Sequence, residues 1–197
     1  MSSDLFRDNL DKTLQEEMLN LSHKLADAAR GAILPIFRSE RLLTQNKDAS
    51  GFDPVTEADK AGEKAMRRIL QRLRPQDGIL GEEFGSLKSA SGLTWVLDPI
   101  DGTRAFVTGI PVWTVLVSLS KNNIPILGVI YQPFTKELFT GGLGISEYIR
   151  DNISNETSIR NCDNLKDAFL SSTFPEIGTV TERKAFEAVA GQVKICR

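Results

Sequence analysis

Residues 95–103 read Trp-Val-Leu-Asp-Pro-Ile-Asp-Gly-Thr, an apolar run that ends in two aspartates around a proline. A second apolar run, residues 78–80, is followed closely by Glu82 and Glu83. Short apolar runs of this kind predict buried strands. Carboxylates gathered at the ends of such strands repel one another and need cations to offset their charge. Because the ligands are oxygens with no His or Cys nearby, the pattern favours Mg²⁺, Mn²⁺ or Ca²⁺ over zinc.

The turn within residues 95–103 predicts how these ligands converge. Pro99 fixes the turn, so that Asp98, the Ile100 carbonyl and Asp101 can approach one cation or a pair of cations. Gly102 lets the backbone come close to an anion because it has no Cβ. The Asp-Gly-Thr segment then opens a predicted helix, whose free N–H groups can hold a phosphate. The alternative is a plain Asp/Pro/Gly turn.

Two further acidic clusters are less specific on their own. Residues 53–59 lead from a loop into a predicted helix that begins near Thr56 and ends at about Leu73. Thr and acidic residues at a helix start are also ordinary capping residues. We expect Ala61, Ala65, Met66, Ile69 and Leu73 to face inward from this helix. Adjacent acids such as Glu82 and Glu83 are often solvated, but here they follow a strand, where a metal ligand would stand.

The remaining pattern predicts two helices followed by a mostly antiparallel sheet, in a layered α/β or α+β architecture. An amphipathic helix is predicted over residues 11–37, bent or ended by Pro35, and a hairpin or loop over 38–51. Strands are predicted at 78–81, 93–98, 112–121, 124–132, 137–142 and 168–172, with a turn at Asn122-Asn123. Residues 148–160 are polar and turn-rich, and 181–190 predict another amphipathic helix.

Composition narrows the class of protein. A hydrophobic content of 41% and a charged content of 25% over 197 residues are typical of a soluble globular protein. The net charge is −2, and the lysines and arginines are spread along the chain rather than clustered in a basic patch. We therefore expect no nucleic-acid or membrane partner. Two cysteines and no signal sequence predict a cytoplasmic location. The one histidine, His23, lies in an amphipathic helix and is interpreted as structural, which disfavours His-based catalysis.

The C-terminal residues 192–197 have the character of a strand, with no turn or cap after it. An unfinished strand leaves an apolar edge exposed. We therefore expect residues 1–197 to form a single domain that lacks its C-terminal portion, with a frayed terminus as the alternative.

Taken together, the clusters resemble the inositol monophosphatase family of metal-dependent, lithium-sensitive phosphatases. The matching motifs are Asp53-x-x-Thr56-x-x-Asp59, Gly81-Glu82-Glu83, Trp95-x-x-Asp98-Pro99-Ile100-Asp101-Gly102-Thr103 and Gly128-Val129-Ile130-Tyr131. The resemblance implies a layered α-β-α-β-α fold, a homodimer, and two or three Mg²⁺ ions.

The resemblance also implies a role for each site residue. Glu82, Asp98 and the Ile100 carbonyl would bind a first Mg²⁺, and Asp98 would bridge to a second ion that Asp101 also binds. Asp59 and Thr103 would orient and deprotonate the attacking water. The Gly102 and Thr103 amides would hold the phosphate of a small phosphorylated substrate.

Two departures from the family pattern refine these expectations. The chain ends before a Trp-Asp motif whose Asp would complete the second metal site, so we expect that ion to bind weakly. Arg104 is basic where inositol phosphatases carry an uncharged residue, which resembles the histidinol-phosphatase branch and its role in histidine biosynthesis. The predicted function is Mg²⁺-dependent hydrolysis of histidinol phosphate. The alternatives are inositol-1-phosphate or another sugar phosphate as the substrate, or a non-catalytic remnant.

Overall fold

The computed structural model describes residues 10–39, 44–46, 54–172 and 178–197, with the backbone alone for 44–46 and 54–56. The helices are α1 (Lys12–Ile33), α2 (Glu57–Leu73), α3 (Thr103–Val107) and α4 (Val180–Ala190). The strands are β1 (Thr44–Asn46), β2 (Pro54–Thr56), β3 (Gly78–Gly81), β4 (Gly85–Leu87), β5 (Leu93–Asp101), β6 (Thr114–Lys121), β7 (Ile124–Gln132), β8 (Glu137–Gly142), β9 (Ile145–Arg150), β10 (Ile153–Glu156), β11 (Phe169–Leu170) and β12 (Ile195–Cys196). The chain divides into two compact units, with the boundary between Thr157 and Ser158.

Helix α1 has a start and a stop that local chemistry explains. The Asp11 side chain accepts a hydrogen bond from the Leu14 N–H at 2.8 Å and caps the helix. The helix ends at Ile33, two residues before Pro35, because proline lacks an N–H and restricts the residue before it. His23 shares a hydrogen bond with Thr140 Oγ1 at 2.8 Å, and burial lowers its pKa. These contacts support the structural interpretation of His23.

Helix α2 forms where it was predicted, but its buried face is different. The buried residues are Ala58, Asp59, Gly62, Glu63, Met66, Arg67 and Leu70. Met66 is buried as predicted, and Ile69 packs partly buried against the core. Ala61 and Ala65 are half-buried, whereas the prediction that Leu73 faces inward is wrong, because Leu73 is 45% exposed. The physical reason is that Glu63 and Arg67 form a buried ion pair, which an apolar-periodicity argument assigns to the solvent side.

The main sheet has eight strands in the order β10-β9-β8-β7-β6-β5-β3-β4. Every neighbouring pair is antiparallel except β3 and β5, which run parallel. Helix α1 packs on β6 and β7, and α2 packs on β5. A helix layer therefore covers one face of a mostly antiparallel sheet, as predicted.

Strand β5 sends alternate side chains to opposite faces of the sheet. Leu93, Trp95 and Leu97 are buried in the core cluster that also contains the apolar side chains of α1 and α2. Val96 and Asp98 face the other way and line a groove of about 700 Å³. Asp98 thus lies three residues before the end of β5, on the face away from the helix layer.

The hairpins confirm one prediction and correct another. Asn122 and Asn123 have φ of 50° and 66° and join β6 to β7, as predicted. Residues 148–160 were predicted to be turn-rich, whereas the structure places the end of β9 and all of β10 there, joined at Asp151-Asn152. The edge strand β10 is exposed along its length, so polar residues are compatible with it.

The unit from Ser158 to Arg197 contains the elements predicted near the C-terminus. Strands β11 and β12 pair in parallel, and Thr179 and Glu182 form a capping box at the start of α4. The prediction of a single domain over residues 1–197 stays a prediction. Among the described residues, no helix combines the length and apolarity needed to cross a membrane.

Candidate metal and phosphate site

The parallel pairing of β3 and β5 brings two of the predicted ligands together. Gly81 is in register with Leu97, so the next residues, Glu82 and Asp98, lie side by side at the point where β3 ends. Asp98 remains within β5 and pairs with Leu116 of β6. Glu82 is exposed and Asp98 is half-buried. Carboxylates of two neighbouring parallel strands therefore meet at one edge of the sheet.

Asp98 lies in an environment that opposes its ionisation. Burial, and then the charges of Glu82 and Asp101, raise its pKa to about 7 from the usual 3.8, although the Ile100 backbone hydrogen bond acts in the other direction. Its Oδ1 atom is buried and has no hydrogen-bond partner among the described residues. An acid held in this way is poised to accept a proton or a cation.

The raised pKa of Asp98 predicts a pH dependence of stability in the metal-free protein. Between about pH 4 and pH 7 the folded state binds more protons at Asp98 than the unfolded state, so the free energy of unfolding falls as pH rises through this window. An asparagine at position 98 cannot ionise, so Asp98→Asn should not lose stability in this way as pH rises. Chemical denaturation across the window should show the variant gaining stability relative to the unmodified protein as pH rises. A constant difference between the two proteins would contradict the prediction, and Glu16→Gln on the exposed side of α1 is the control.

A bulge places the next predicted ligands. The β5–β6 register shifts between Asp98 and Asp101, so the chain bends at Pro99 and Ile100. The Ile100 carbonyl accepts a hydrogen bond from Thr103 Oγ1 at 3.2 Å, which fixes its direction. Asp101 is exposed, and Asp101 Oδ2 accepts a long 3.5 Å hydrogen bond from Thr114.

Gly102 occupies the N-cap of α3 with φ 90°, a conformation that favours glycine. A Cβ there would also lie 3.3 Å from the Trp113 Cα and from the Val112 carbonyl oxygen. Thr103 is half-buried and Arg104 is exposed at the start of this short helix. The close packing around Gly102 is therefore against the backbone of residues 112 and 113, and the predicted approach to an anion stays a prediction.

An aromatic cluster beneath α3 fixes the helix. Phe106 stacks edge-on against Trp113 with 4.9 Å between ring centroids, and Phe37 lies 5.2 Å from each of them. Arg38 donates to the Gly109 carbonyl at 2.9 Å and covers the Phe37 ring. These contacts give the segment that carries Thr103 a rigid support.

Asp59 lies on the face of α2 that is turned toward this segment. It is fully buried, one turn before Gly62. A Cβ added to Gly62 would lie 2.9 Å from the Cβ of Pro99, so this face of α2 packs directly on the bulge. The backbone of β2, just before α2, contacts α3. The pairing of Asp59 with Thr103 stays a prediction, and the predicted motif residue Asp53 and the Thr56 side chain lie outside the described residues.

Sequence reasoning missed Glu63 and Arg67, which join α2 to the loop after β3. Glu63 is fully buried and accepts hydrogen bonds from the Arg67 Nε at 2.6 Å and from the Glu83 N–H at 2.6 Å. Asp59, Glu63 and Arg67 follow one another at intervals of four residues, which places all three on one face of a helix. This spacing was the signal available in the sequence.

The carboxylate and carbonyl oxygens of this site suit a hard divalent cation, although they are not arranged as a complete set of metal ligands in the structure. Among the residues whose side chains are described, no group of three His, Cys, Asp or Glu is arranged to hold a metal ion. The buried Asp98 Oδ1 and the all-oxygen donor set nonetheless fit Mg²⁺ or Mn²⁺.

Comparison with known proteins gives a consistent assignment. The inositol monophosphatase family model matches residues 14–190. The chain is 35% identical over 188 residues to the bifunctional phosphatase IMPL2, chloroplastic, of Arabidopsis thaliana, covering 94% of this chain and 53% of that protein. It is 50% identical over 80 residues to a histidinol-phosphatase of Mycobacterium tuberculosis, covering 41% of this chain and 31% of that protein. The chain thus spans about half or less of these curated relatives.

The fold also matches solved structures. An inositol monophosphatase from Zymomonas mobilis superposes with a TM-score of 0.77 at 34% identity, covering 92% of this chain and 68% of that one. The predicted α/β fold class is therefore confirmed. A family model that spans nearly the whole chain, together with these relatives, shows that the chain belongs to the inositol monophosphatase family.

Proposed function

We propose that this protein hydrolyses a small phosphate monoester with the help of divalent cations. The observation that supports this most is the placement of Asp98 between the charges of Glu82 and Asp101, next to the Gly102 turn. A carboxylate cluster beside a helix start combines a place for cations with a place for a phosphate. The family assignment and the relatives named as phosphatases support the same reaction class.

The residues that would hold the ions are those at the strand ends. Glu82, Asp98 and the Ile100 carbonyl would bind one Mg²⁺, and Asp98 with Asp101 would bind a second, in a site of two or three ions. When bound, Mg²⁺ supplies positive charge that offsets the phosphate and acidifies water. Thr103 donates to the Ile100 carbonyl and so keeps this oxygen directed.

Asp59 and Thr103 would orient and deprotonate the attacking water. Asp59 is fully buried, and a carboxylate at such a position can accept the proton of the nucleophile. The Gly102 and Thr103 amides would hold the phosphate oxygens in line with that water. Arg104, exposed at the start of α3, would contact the part of the substrate beyond the phosphate.

Histidinol phosphate is the proposed substrate. Relatives named histidinol-phosphatase reach 50% and 41% identity over the segments that they share with this chain. The alternative, inositol-1-phosphate or another sugar phosphate, is favoured by the similarity to solved inositol monophosphatases. Arg104 favours histidinol phosphate, because a basic residue at this position resembles the histidinol-phosphatase branch.

Substrate preference tests this choice. We expect L-histidinol phosphate to be preferred over inositol-1-phosphate by at least about tenfold in kcat/KM, or about 1.4 kcal/mol. Arg104→Gln should reduce that ratio, whereas Arg68→Gln, an exposed arginine on α2, should leave it unchanged. Equal kcat/KM for the two substrates, or a higher value for inositol-1-phosphate, would favour the alternative substrate.

Other properties that the resemblance implies remain proposals. They are inhibition by lithium, assembly as a homodimer and a cytoplasmic location. A non-catalytic role is the competing proposal, and it predicts no phosphate release from either substrate. A phosphate-release assay in the presence and absence of Mg²⁺ decides between an enzyme and a non-catalytic protein.

A further inference from the structure

A buried ion pair connects α2 to the loop that carries Glu82. Glu63 is fully buried and Arg67 is 8% exposed, and their side chains meet at 2.6 Å. Burying two charges has a large desolvation cost, and an apolar pair of similar volume often stabilises a fold equally well. The presence of this pair in the core of α2 therefore calls for a role beyond packing.

The pair directs its hydrogen bonds to the backbone of residues 83–85. Glu63 Oε2 accepts from the Glu83 N–H at 2.6 Å, and Glu63 Oε1 accepts from the Phe84 N–H at 3.2 Å. Arg67 Nη2 donates to the Gly85 carbonyl. Three consecutive residues after Glu82 are thus bonded to one helix.

The residue before Glu82 is held against the same pair. A Cβ added to Gly81 would overlap Glu63 Oε1 and lie 2.7 Å from Arg67 Nη2. Only a glycine leaves room for the carboxylate to reach the loop. Glu82 therefore lies between two peptide segments that both rest on Glu63.

The same helix face carries Asp59, four residues before Glu63. Residues at this spacing are neighbours on one side of a helix. The buried pair thus ties the Glu82 loop to the helix that presents Asp59, which fixes the separation of the two parts of the site.

We propose that Glu63 and Arg67 are positioning residues, which hold the Glu82 loop against α2 and thereby set the affinity of the site for a divalent cation. This rests on the function proposed above. Groups that orient a metal ligand typically change metal affinity by about 10- to 100-fold when they are replaced. Glu82 itself is exposed, and the backbone on either side of it rests on Glu63.

Calorimetric titration with Mg²⁺ tests the effect on affinity. Glu63→Gln keeps the shape of the side chain but removes its charge and one hydrogen-bond acceptor. Arg67→Lys keeps the positive charge, but the lysine side chain cannot donate to both Glu63 and the Gly85 carbonyl. Both should bind Mg²⁺ at least about tenfold more weakly. Leu70→Val is the matched control, because Leu70 is buried one turn further along α2 and makes none of these bonds. Equal loss in Leu70→Val, or unchanged affinity in both pair variants, would overturn the proposal.

Amide hydrogen exchange of the metal-free protein gives a readout that is independent of activity. The Glu83 and Phe84 amides should exchange faster in Glu63→Gln, while α1 amides stay as they are in the unmodified protein. Gly81→Ala should do the same, since its Cβ displaces the Glu63 carboxylate from the other side. Unchanged exchange at both amides in both variants would refute the loop-holding role.

The two proposals fail in different ways. If the unmodified protein binds Mg²⁺ and releases no phosphate, the proposed function is wrong and the positioning role stands on the affinity and exchange results. If it releases phosphate and both Glu63→Gln and Arg67→Lys bind Mg²⁺ as tightly as the unmodified protein, the positioning role is wrong and the proposed function stands.

Discussion

Asp98→Asn is expected to abolish phosphate release while the fold stays intact. The charges of Glu82 and Asp101 both act on Asp98, which lies between them. In the proposed site Asp98 would therefore contact both cations. Removing its charge removes the shared ligand, and the loss of several kcal/mol of transition-state stabilisation corresponds to roughly 10³-fold or more in kcat/KM. A phosphate-release assay at saturating Mg²⁺ measures the effect.

The control for this variant is Asp77→Asn. Asp77 is buried and accepts hydrogen bonds from Trp95 Nε1 at 3.0 Å and from Arg74 Nε at 2.9 Å, just before β3 and away from the strand ends that carry the site. Its replacement should lower the melting temperature and leave kcat nearly unchanged at temperatures where the variant is folded. Substantial turnover in Asp98→Asn would show that Asp98 does not bridge the cations.

Removal of Asp59 or Thr103 is expected to slow the chemical step rather than to weaken substrate binding. Asp59→Asn and Thr103→Val should each lower kcat by roughly 10²–10⁴-fold, the usual effect of losing a general base. Mg²⁺ affinity should change less than kcat does, because neither side chain is a proposed ligand and Thr103 would affect the ions only through its hydrogen bond to the Ile100 carbonyl. The measurement is kcat and KM for each variant beside a Mg²⁺ titration.

The double variant sharpens this second prediction. If Asp59 and Thr103 act as one unit, the double variant should be no slower than the worse single variant, because members of a catalytic unit are not additive. Multiplied losses, or an effect confined to KM, would show that the two residues only stabilise the starts of α2 and α3. Glu57→Gln, an exposed acid in the first turn of α2, controls for the helix dipole.

Those parts of the site that depend on local sequence were predictable. The helix start after Gly102 was predicted, and the structure has it. The turn predicted at Pro99 is a bulge within β5, which continues to Asp101. The Asn122-Asn123 turn and the stop of α1 before Pro35 are local in the same sense. Short-range steric preferences of Pro, Gly and Asn are strong enough to be read without tertiary information.

Features that depend on tertiary contacts were not predictable. The parallel pairing of β3 with β5 sets Glu82 beside Asp98, and nothing within either strand specifies its partner. The buried face of α2 was misjudged because Glu63 and Arg67 are charged, and only the backbone of residues 83–85 shows why they are inside. Gly81 was interpreted as a feature of a strand end, whereas its lack of a side chain makes room for Glu63.

Mg²⁺ binding, compared between the unmodified chain and Asp98→Asn, tests the cation site most directly. Isothermal calorimetry above neutral pH, where Asp98 is ionised, should show at least one ion bound by the unmodified chain and affinity weaker by about tenfold or more in the variant. Equal affinity in the two proteins, or no binding by the unmodified chain, would contradict the assignment of the strand-end carboxylates to a divalent cation.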